Sequence, residues 1–383
     1  MRIGFFADMY LPHISGVTNH ISLYKQRFEA LGHEVFVFTF GDLDYADAEP
    51  DIVRSPGMPW GDTGWRFALS LSPEARRLAE TLDVIHVHHP FQSGRLAAPI
   101  AKRAGIPLAF TNHTRYDLYS DSYATFVPRS ARYVYLRRTL GGFLRTCDLV
   151  VAPAVSIAEW LRDFTGFTGA TVIPNGVDTS AFAHPAAPVT REELGFSAGD
   201  VVFCYAGRLG PEKSTPWLAE EFAAAAATQP RARLLVVGDG PSRAEAQAAL
   251  DRAGVADRAR FTGMVPYNRM PDYEAAADVF VTGSVTEVHP LVVLEAMAAG
   301  LAIVAVSSPG IADTVVDGES GLLAPAAEPG ALAQRIGRLA SDDGLRKRLA
   351  AAAREASAAY SLDRTADVLL GHYERLVATG AAR

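Results

Sequence analysis

The sequence predicts an α/β protein built from two parallel-sheet halves. Three observations carry that expectation. Short, continuously apolar runs recur along the 383 residues, each ending in a polar or glycine-containing loop. Helical stretches separate successive runs. The series then restarts near Val201, after a segment rich in Pro, Gly, Asp and Ala. A continuous apolar run reads as a strand covered on both faces, and such strands sit in parallel sheets flanked by helices. The length is too great for one ordinary domain and suits two of roughly 150–200 residues each.

Residues 3–7 read as the first buried strand, followed by a helix over roughly His20–Leu31 that Gly32 closes. Glu34–Phe40 is again strand-like, which completes a βαβ opening. Val84–Val87, Leu108–Thr111 and Leu149–Ala152 are further strand candidates, and Val172–Ile173 starts another. Helical stretches at Pro73–Thr81 and Ser93–Ala104 lie between them. In the second half, strand Val201–Ala206 precedes helix Thr215–Thr228, and strand Arg233–Val237 precedes helix Ser242–Ala253. Val255–Thr262, Tyr267–Ala277, strand Val279–Thr282, helix Pro290–Ala299 and strand Ala302–Val306 follow. Gly330–Ala359 and Leu362–Thr379 are Ala-rich and helical. The boundary falls in Asn175–Pro188, where no period is visible. The domains expected are 1–180, joined by helix 362–379, and 181–361.

Composition excludes several classes. Hydrophobic residues make up 49% and charged residues 21%, enough for a sizeable core. A net charge of −7 argues against a dedicated nucleic-acid binder. Two cysteines, Cys147 and Cys204, cannot build a disulfide framework, which fits a cytoplasmic compartment. The N-terminal apolar run is too short for a signal peptide, and no stretch of about 18 apolar residues is present to span a membrane.

In doubly wound sheets, ligands bind at the carboxyl ends of strands. The sharpest motif there is Glu287-Val-His-Pro-Leu-Val-Val-Leu-Glu295, two glutamates separated by seven residues. Pro290 suits a first helical turn, and a loop feeding a helix N-terminus presents free N–H groups to an anion. Ionised carboxylates accept hydrogen bonds from hydroxyls. Together they describe a site for a molecule with phosphates and hydroxyls, such as a sugar nucleotide. The alternative is two exposed glutamates that stabilise the helix dipole. Gly207-Arg208-Leu209-Gly210-Pro211-Glu212-Lys213 follows a strand, so Arg208 and Lys213 can neutralise a diphosphate; the alternative is ordinary surface charge. Ser15-Gly16-Val17 lies in the first βα loop, where Gly16 either lets the backbone approach a phosphate or makes a tight turn.

As a set, these motifs resemble the family 4 retaining glycosyltransferases. The resemblance rests on Thr286–Gly300, Ala206-Gly207-Arg208 with Glu212-Lys213, Val237-Gly-Asp-Gly-Pro241, Pro174-Asn-Gly-Val-Asp178 and the opening Met9–Val35, and covers essentially the whole chain. It implies a GT-B fold, two Rossmann-like domains facing a cleft, with the donor held mainly by the C-terminal one and the terminal helix packed back on the N-terminal one. It implies that Gly207, Arg208 and Lys213 hold the donor diphosphate, with Gly16 approaching from the other domain. Glu295 would bind the ribose hydroxyls, and the base would lie near Met264 and Val265. Glu287 would contact the donor sugar, with the backbone of Val288–Leu291 nearby and Pro290, Leu291 and Val292 in the donor site. His113, in Thr111-Asn-His-Thr114, matches a family histidine near the transferred sugar. The family often has Gly-Phe after the first glutamate; here Val288-His289 stands instead, so His289 is expected to bear on sugar selection. Catalysis is thus assigned to His113, Arg208, Lys213 and Glu287, with no metal and no cofactor beyond the nucleotide-sugar substrate. The leaving diphosphate gains charge that fixed cations and helix-end N–H groups stabilise. No nucleophile for a double displacement is evident, which favours front-face attack.

The acceptor is a lipid or a small hydroxyl compound. Arg129–Arg145 holds five arginines and no acid. At about 100° per residue, Tyr133, Leu136, Leu140, Phe143 and Leu144 share a stripe, with Arg138 and Arg145 opposite and Arg137 alongside. Arg129, Arg132, Arg137, Arg138 and Arg145 therefore read as contacts to anionic lipid heads; the alternative is a core-packed helix with a solvated basic face, and Gly141-Gly142 weakens any continuous helix. With His89-Pro-Phe91 and Thr111–Asp117, this segment resembles the subgroup that glucosylates diacylglycerol, whose members sit on the membrane through the N-terminal domain. His88, His89, Arg115 and Tyr116 are the acceptor-side candidates. The donor expected is UDP-glucose, and the location cytoplasmic and peripheral to the membrane.

Other readings are weaker. Asp42-Leu43-Asp44 resembles a metal motif of another glycosyltransferase fold, by chance. His86 and His88 share a strand face but lack a carboxylate or cysteine at suitable spacing for zinc. Gly238-Asp-Gly240 suggests a nicotinamide site, yet Arg243 replaces the third glycine. An oxidoreductase would need a full glycine fingerprint after the first strand; a non-catalytic nucleotide-sugar binder would not need Arg208, Lys213, Glu287 and Glu295 together.

Overall fold

A computed structural model describes residues 1–59, 66–123, 126–326 and 328–380. The chain forms two compact units, Met1–Gly176 with Leu362–Arg383, and Val177–Ser361.

In the first unit the elements run β1 (Arg2–Phe6), α1 (Gly16–Ala30), β2 (Glu34–Phe40), β3 (Ile52–Ser55), β4 (Met58–Pro59), β5 (Arg66–Phe67) and α2 (Pro73–Ala79). There follow β6 (Val84–Val87), α3 (Ser93–Ala104), β7 (Leu108–Thr111), α4 (Tyr116–Tyr123), α5 (Arg129–Leu144), β8 (Leu149–Ala152), α6 (Val155–Thr165) and β9 (Ala170–Val172). The second unit runs α7 (Thr179–Ala183), β10 (Val201–Ala206), α8 (Thr215–Ala226), β11 (Ala232–Val237), α9 (Arg243–Arg252), β12 (Ala259–Gly263), α10 (Met270–Glu274) and β13 (Val279–Thr282). It closes with α11 (Leu291–Ala298), β14 (Ala302–Val306), α12 (Pro309–Ala312), β15 (Gly321–Ala324), α13 (Ala331–Ser341) and α14 (Asp343–Ser357). The last helix, α15 (Leu362–Thr379), rejoins the first unit.

Each unit carries a parallel sheet. The seven-stranded sheet has the order β3-β2-β1-β6-β7-β8-β9 and the six-stranded sheet β12-β11-β10-β13-β14-β15. The strand order reverses between β1 and β6 in one and between β10 and β13 in the other, and ligands bind at such switch points. β10 shows why the runs are continuously apolar. Val201, Phe203 and Tyr205 enter the core cluster on one face of the sheet, while Val202, Cys204 and Ala206 enter the cluster on the other. Alternate side chains point to opposite faces, and both faces are covered. In the first unit Phe5, Tyr24, Phe28 and Val37 share a core with Leu369 and Tyr373 of α15. Tyr24 donates to Thr365 Oγ1 at 2.9 Å.

Some elements depart from expectation for identifiable reasons. Helix α1 starts at Gly16, four residues before the expected His20, because Ser15 caps it by accepting from Thr18 N at 3.2 Å. Such a cap contributes about 1 kcal/mol. Gly330–Ala359 is two helices, since Asp342 adopts an extended conformation and caps α14 through Leu345 N at 2.8 Å. Gly141-Gly142 does not interrupt α5. A Cβ on Gly141 would lie 3.3 Å from the Thr165 backbone oxygen, so the glycine lets α5 and the end of α6 pack closely.

Candidate active site

The loops after β10 and β13 flank the switch point of the second sheet. Arg208 and Lys213 come from the first loop, Glu287 from the second. Lys213 Nζ lies 2.7 Å from Glu287 Oε1. Burial works against both charges, yet the partner outweighs it: Lys213 is held above the usual lysine range and Glu287 below the usual carboxylate range, with the Ser284 hydroxyl assisting the latter. Thr286 Oγ1 donates to Glu212 O at 3.3 Å and ties the two loops together. Arg208, with a side chain 45% exposed, lies 3.7 Å from Glu212 and offers its charge to solvent.

The loop of Arg208 is shaped by glycines. Gly207 adopts φ 135° and Gly238 φ 142°, both disfavoured for other residues. A Cβ on Gly238 would fall 2.0 Å from Gly207 O, and one on Gly240 2.5 Å from Leu209 O. Leu209 N donates to Asp239 O at 2.9 Å, Ser242 N to Leu209 O at 2.9 Å, and Tyr205 hydroxyl to Arg208 O at 2.9 Å. The Gly238-Asp-Gly240 motif is therefore a support for the arginine loop, not a nicotinamide fingerprint. Gly310 supports the other loop in the same way, since a Cβ there would lie 2.2 Å from Val288 O.

Glu295 is 1% exposed, so the reading of two exposed glutamates fails. Tyr267 hydroxyl donates to Glu295 Oε1 at 2.7 Å. Burial raises Glu295 to about 7 against that bond, and raises the neighbouring Glu274 well above the carboxylate range with help from the Glu295 charge. Pro290 is the N-cap residue of α11, just outside the expected first turn, and Leu291 is buried with Val292 partly so. His289 is 5% exposed, packs edge-on against Tyr360, and is lowered to about 4 by burial, with Asp313 acting the other way. Met264 is 58% exposed and Val265 packs against the core, in the segment after β12. Tyr205, Ser284, Tyr267 and Gly310 were not singled out by the sequence. Tyr267 and Gly310 meet partners far along the chain, Glu295 and Val288, while Tyr205 and Ser284 act on Arg208 and Glu287 within loop turns that no spacing signals.

At the switch point of the first sheet, Asp8 follows β1 and His88 and His89 follow β6. Asp8 Oδ1 accepts from Ser93 N at 2.7 Å, and His89 Nδ1 accepts from Asp8 N at 3.1 Å. Gly16 is exposed, starts α1, and has no atom within 4 Å of where a Cβ would stand, so it is not a tight turn. His113 Nε2 lies 2.9 Å from His88 Nδ1, and burial lowers both imidazoles well below their ordinary range. His88 is fully buried and His89 6% exposed, so neither forms an open acceptor wall: the end of β6 packs them against Phe5 and Asp8. Arg115 is held by Asp117 in a bidentate pair at 2.9 and 2.8 Å and lies over the Trp160 ring. Tyr116 is 8% exposed with its ring edge against Phe91, and burial raises its hydroxyl. His86 is spent on Tyr373 and on Thr111 Oγ1, so it does not pair with His88 as a ligand. Asp42 is paired with Arg66.

The arginines of α5 divide. Leu136, Leu140 and Leu144 are buried as the stripe requires. Arg132 is not free for lipid: it donates to Asp121 and to Ser120 O, both at 2.8 Å, with 11% of its side chain exposed. Arg145 turns back onto Gly141 O at 2.9 Å. Arg129 is 67% exposed and shares Asp121, Arg137 lies over the Phe164 ring, and Arg138 faces solvent. No acid lies within the helix, but Asp121 of α4 supplies one.

Comparisons with known proteins fit this geometry. Residues 14–181 match the family model described as Glycosyltransferase Family 4, and residues 187–356 match Glycosyl transferases group 1. An Anabaena protein, Alr3699/HepE, solved with UDP and glucose, superposes with a TM-score of 0.79 over 98% of this chain and 100% of its own, at 20% identity. Two parallel sheets with charged loops at their switch points thus form a GT-B glycosyltransferase fold. The alpha-monoglucosyldiacylglycerol synthase of Acholeplasma laidlawii is 30% identical over 336 residues, 84% of each chain. The GDP-mannose-dependent alpha-mannosyltransferase of Mycobacterium tuberculosis is 29% identical over 98% of this chain and 96% of its own. The chain belongs to glycosyltransferase family 4, near the subgroup that glucosylates diacylglycerol.

Proposed function

We propose that the protein transfers a hexose from a nucleotide sugar, UDP-glucose, to the hydroxyl of diacylglycerol at a membrane surface, with retention of configuration and without a metal. The observation that carries the reading is the meeting of Lys213 and Glu287 at 2.7 Å, with Arg208 in the same loop as Lys213 and Glu295 buried in the helix that follows Glu287. Cations there suit a diphosphate and carboxylates suit hydroxyls. When the donor binds, its phosphates take over Lys213 and Arg208, and Glu287 is released to accept from sugar hydroxyls. Glu295 accepts from the ribose, Met264 and Val265 lie against the base, and the N–H groups that open α11 face the donor. The exposed Gly16 offers a close approach to phosphate. His113, neutral, hydrogen-bonds the transferred sugar. As the anomeric C–O bond breaks, the charge gained by the leaving diphosphate is stabilised by Arg208 and Lys213, the role a metal fills elsewhere. The acceptor oxygen bonds the anomeric carbon on the same face, and its proton passes to the leaving phosphate oxygen.

The membrane part rests on Phe126, 86% exposed, and on Tyr135 and Val134, 60% and 49% exposed, beside Arg129, Arg137 and Arg138. No helix among the described residues is long and apolar enough to cross a membrane, so contact would be peripheral. A second reading, GDP-mannose as donor and a soluble acceptor, is favoured by the near-complete coverage of the mannosyltransferase and by the engagement of Arg132 and Arg145 within the fold. Purified protein with either donor and diacylglycerol-containing liposomes separates the two. Glucose entering the lipid phase with the donor's anomeric configuration, undiminished by EDTA, supports the first. Transfer only from GDP-mannose, or only to soluble acceptors, replaces it with the second.

A further inference from the structure

His20 of α1, His88 after β6 and His113 after β7 come from three separate parts of the first unit. One ring nitrogen of each lies within 4.8 Å of the others. His88 Nδ1 and His113 Nε2 are already 2.9 Å apart. Zinc–imidazole bonds of about 2.0–2.1 Å place tetrahedral nitrogens about 3.3 Å apart, so a small inward movement of His20 completes three corners. The rings allow it: His88 and His113 stack at 18°, while His20 meets His113 at 66° and His88 at 62°. His88 Nε2 is buried with no hydrogen-bond partner. His86, stacked 4.5 Å from His88, is no competitor, because both its nitrogens are engaged. His20 and His88 are buried and His113 is partly buried, so His113 is the member nearest solvent.

We propose that His20, His88 and His113 form a binding site for a divalent transition-metal ion of the zinc type, and that occupation inhibits the enzyme. A three-histidine set suits Zn2+ or Co2+ and not Mg2+ or Ca2+, which require oxygen ligands. The inhibitory half rests on the reading of His113 as a group beside the transferred sugar: a metal held by its imidazole removes that group and fills its space. Transfer itself needs no metal under that reading, so zinc lowers a rate that EDTA restores.

The test begins with binding, in the full chain and without substrate. Competition with a chromophoric chelator is expected to find one zinc site per chain that survives excess Mg2+. His20→Asn and His88→Asn are each expected to weaken it at least tenfold. Co2+ added to the unaltered protein is expected to give the intense visible bands of a tetrahedral site, a readout that does not depend on how the variants fold. Zinc binding that both variants leave unchanged, or a weak octahedral cobalt spectrum, overturns the site. Zinc bound at the site with turnover unaffected overturns the inhibition and leaves the site. Because binding is read without donor, its failure is separate from any failure of the transferase reading.

Discussion

Lys213 and Glu287 meet at 2.7 Å although 74 residues separate them along the chain. Adjacent strands β10 and β13 bring them together, with Cys204 paired to Phe280 in register, and each residue lies in the loop that leaves its strand. The pair holds each charge on its partner. Its geometry makes the site sensitive to backbone changes that touch neither residue.

Gly238→Ala is one such change. The new methyl would strike Gly207 O at a φ that alanine avoids, a strain of about 2 kcal/mol. The thermal midpoint should fall by roughly 4–8 °C, and the KM for the donor should rise, because the Arg208 loop must shift. Calorimetry and donor saturation curves check both. An unchanged KM would mean that the loop does not hold the donor.

The pH behaviour of donor binding turns on Glu295. Its folded value is about 7 against an ordinary 4.5, so the fold favours the neutral form. The resulting stability is fully present below about pH 4.5 and is lost as pH rises through 7. Glu274, buried and raised in the same direction, adds to that slope, and Tyr267 is the group that bonds Glu295 directly. Glu295→Gln should flatten the fall in thermal midpoint between about pH 5 and 8. Ribose hydroxyls donate to the ionised form, so UDP affinity should rise with pH up to about 7 and level off, with proton release on binding below that. Calorimetric titrations in buffers of different ionisation enthalpy measure this. A pH-independent affinity would remove Glu295 from the ribose.

The membrane reading makes a separate demand. Replacing both Arg137 and Arg138 by Ala should weaken partition onto anionic liposomes roughly 30-fold, at about 1 kcal/mol per cation. Arg132→Ala should instead lower stability, since that side chain bonds Asp121 and Ser120. Liposome sedimentation and thermal melts separate the two effects. Partition unchanged in the double variant would leave the basic face of α5 as a solvated surface.

What was legible in the sequence follows from what was local. Strands such as Val201–Ala206 and Ala302–Val306 show because burial on both faces demands an unbroken apolar run. Ile52–Ser55 carries Arg54 and is only partly buried at a sheet edge, so it lacks that signature, while Gly321–Ala324 is buried throughout but is a short run that opens on glycine. The glutamate and cation motifs were visible because each lies in a single loop. Their mutual pairing, the Tyr267 bond to Glu295 and the clustering of His20 with His88 and His113 depend on contacts between distant segments. Gly141-Gly142 was misread for a related reason: a glycine kept for the approach of another backbone looks like a helix breaker until that backbone is placed.

The most direct measurement is donor turnover by the wild-type chain beside Lys213→Ala and Glu287→Gln, with thermal melts as a control for folding. The wild type should consume the nucleotide sugar in the presence of acceptor and release nucleoside diphosphate. Lys213→Ala should lose roughly 100- to 1,000-fold in kcat, the usual cost of removing one group that stabilises transition-state charge, and Glu287→Gln should lose activity with it. Near-normal turnover by a folded Lys213→Ala would contradict the assignment of this site to donor activation.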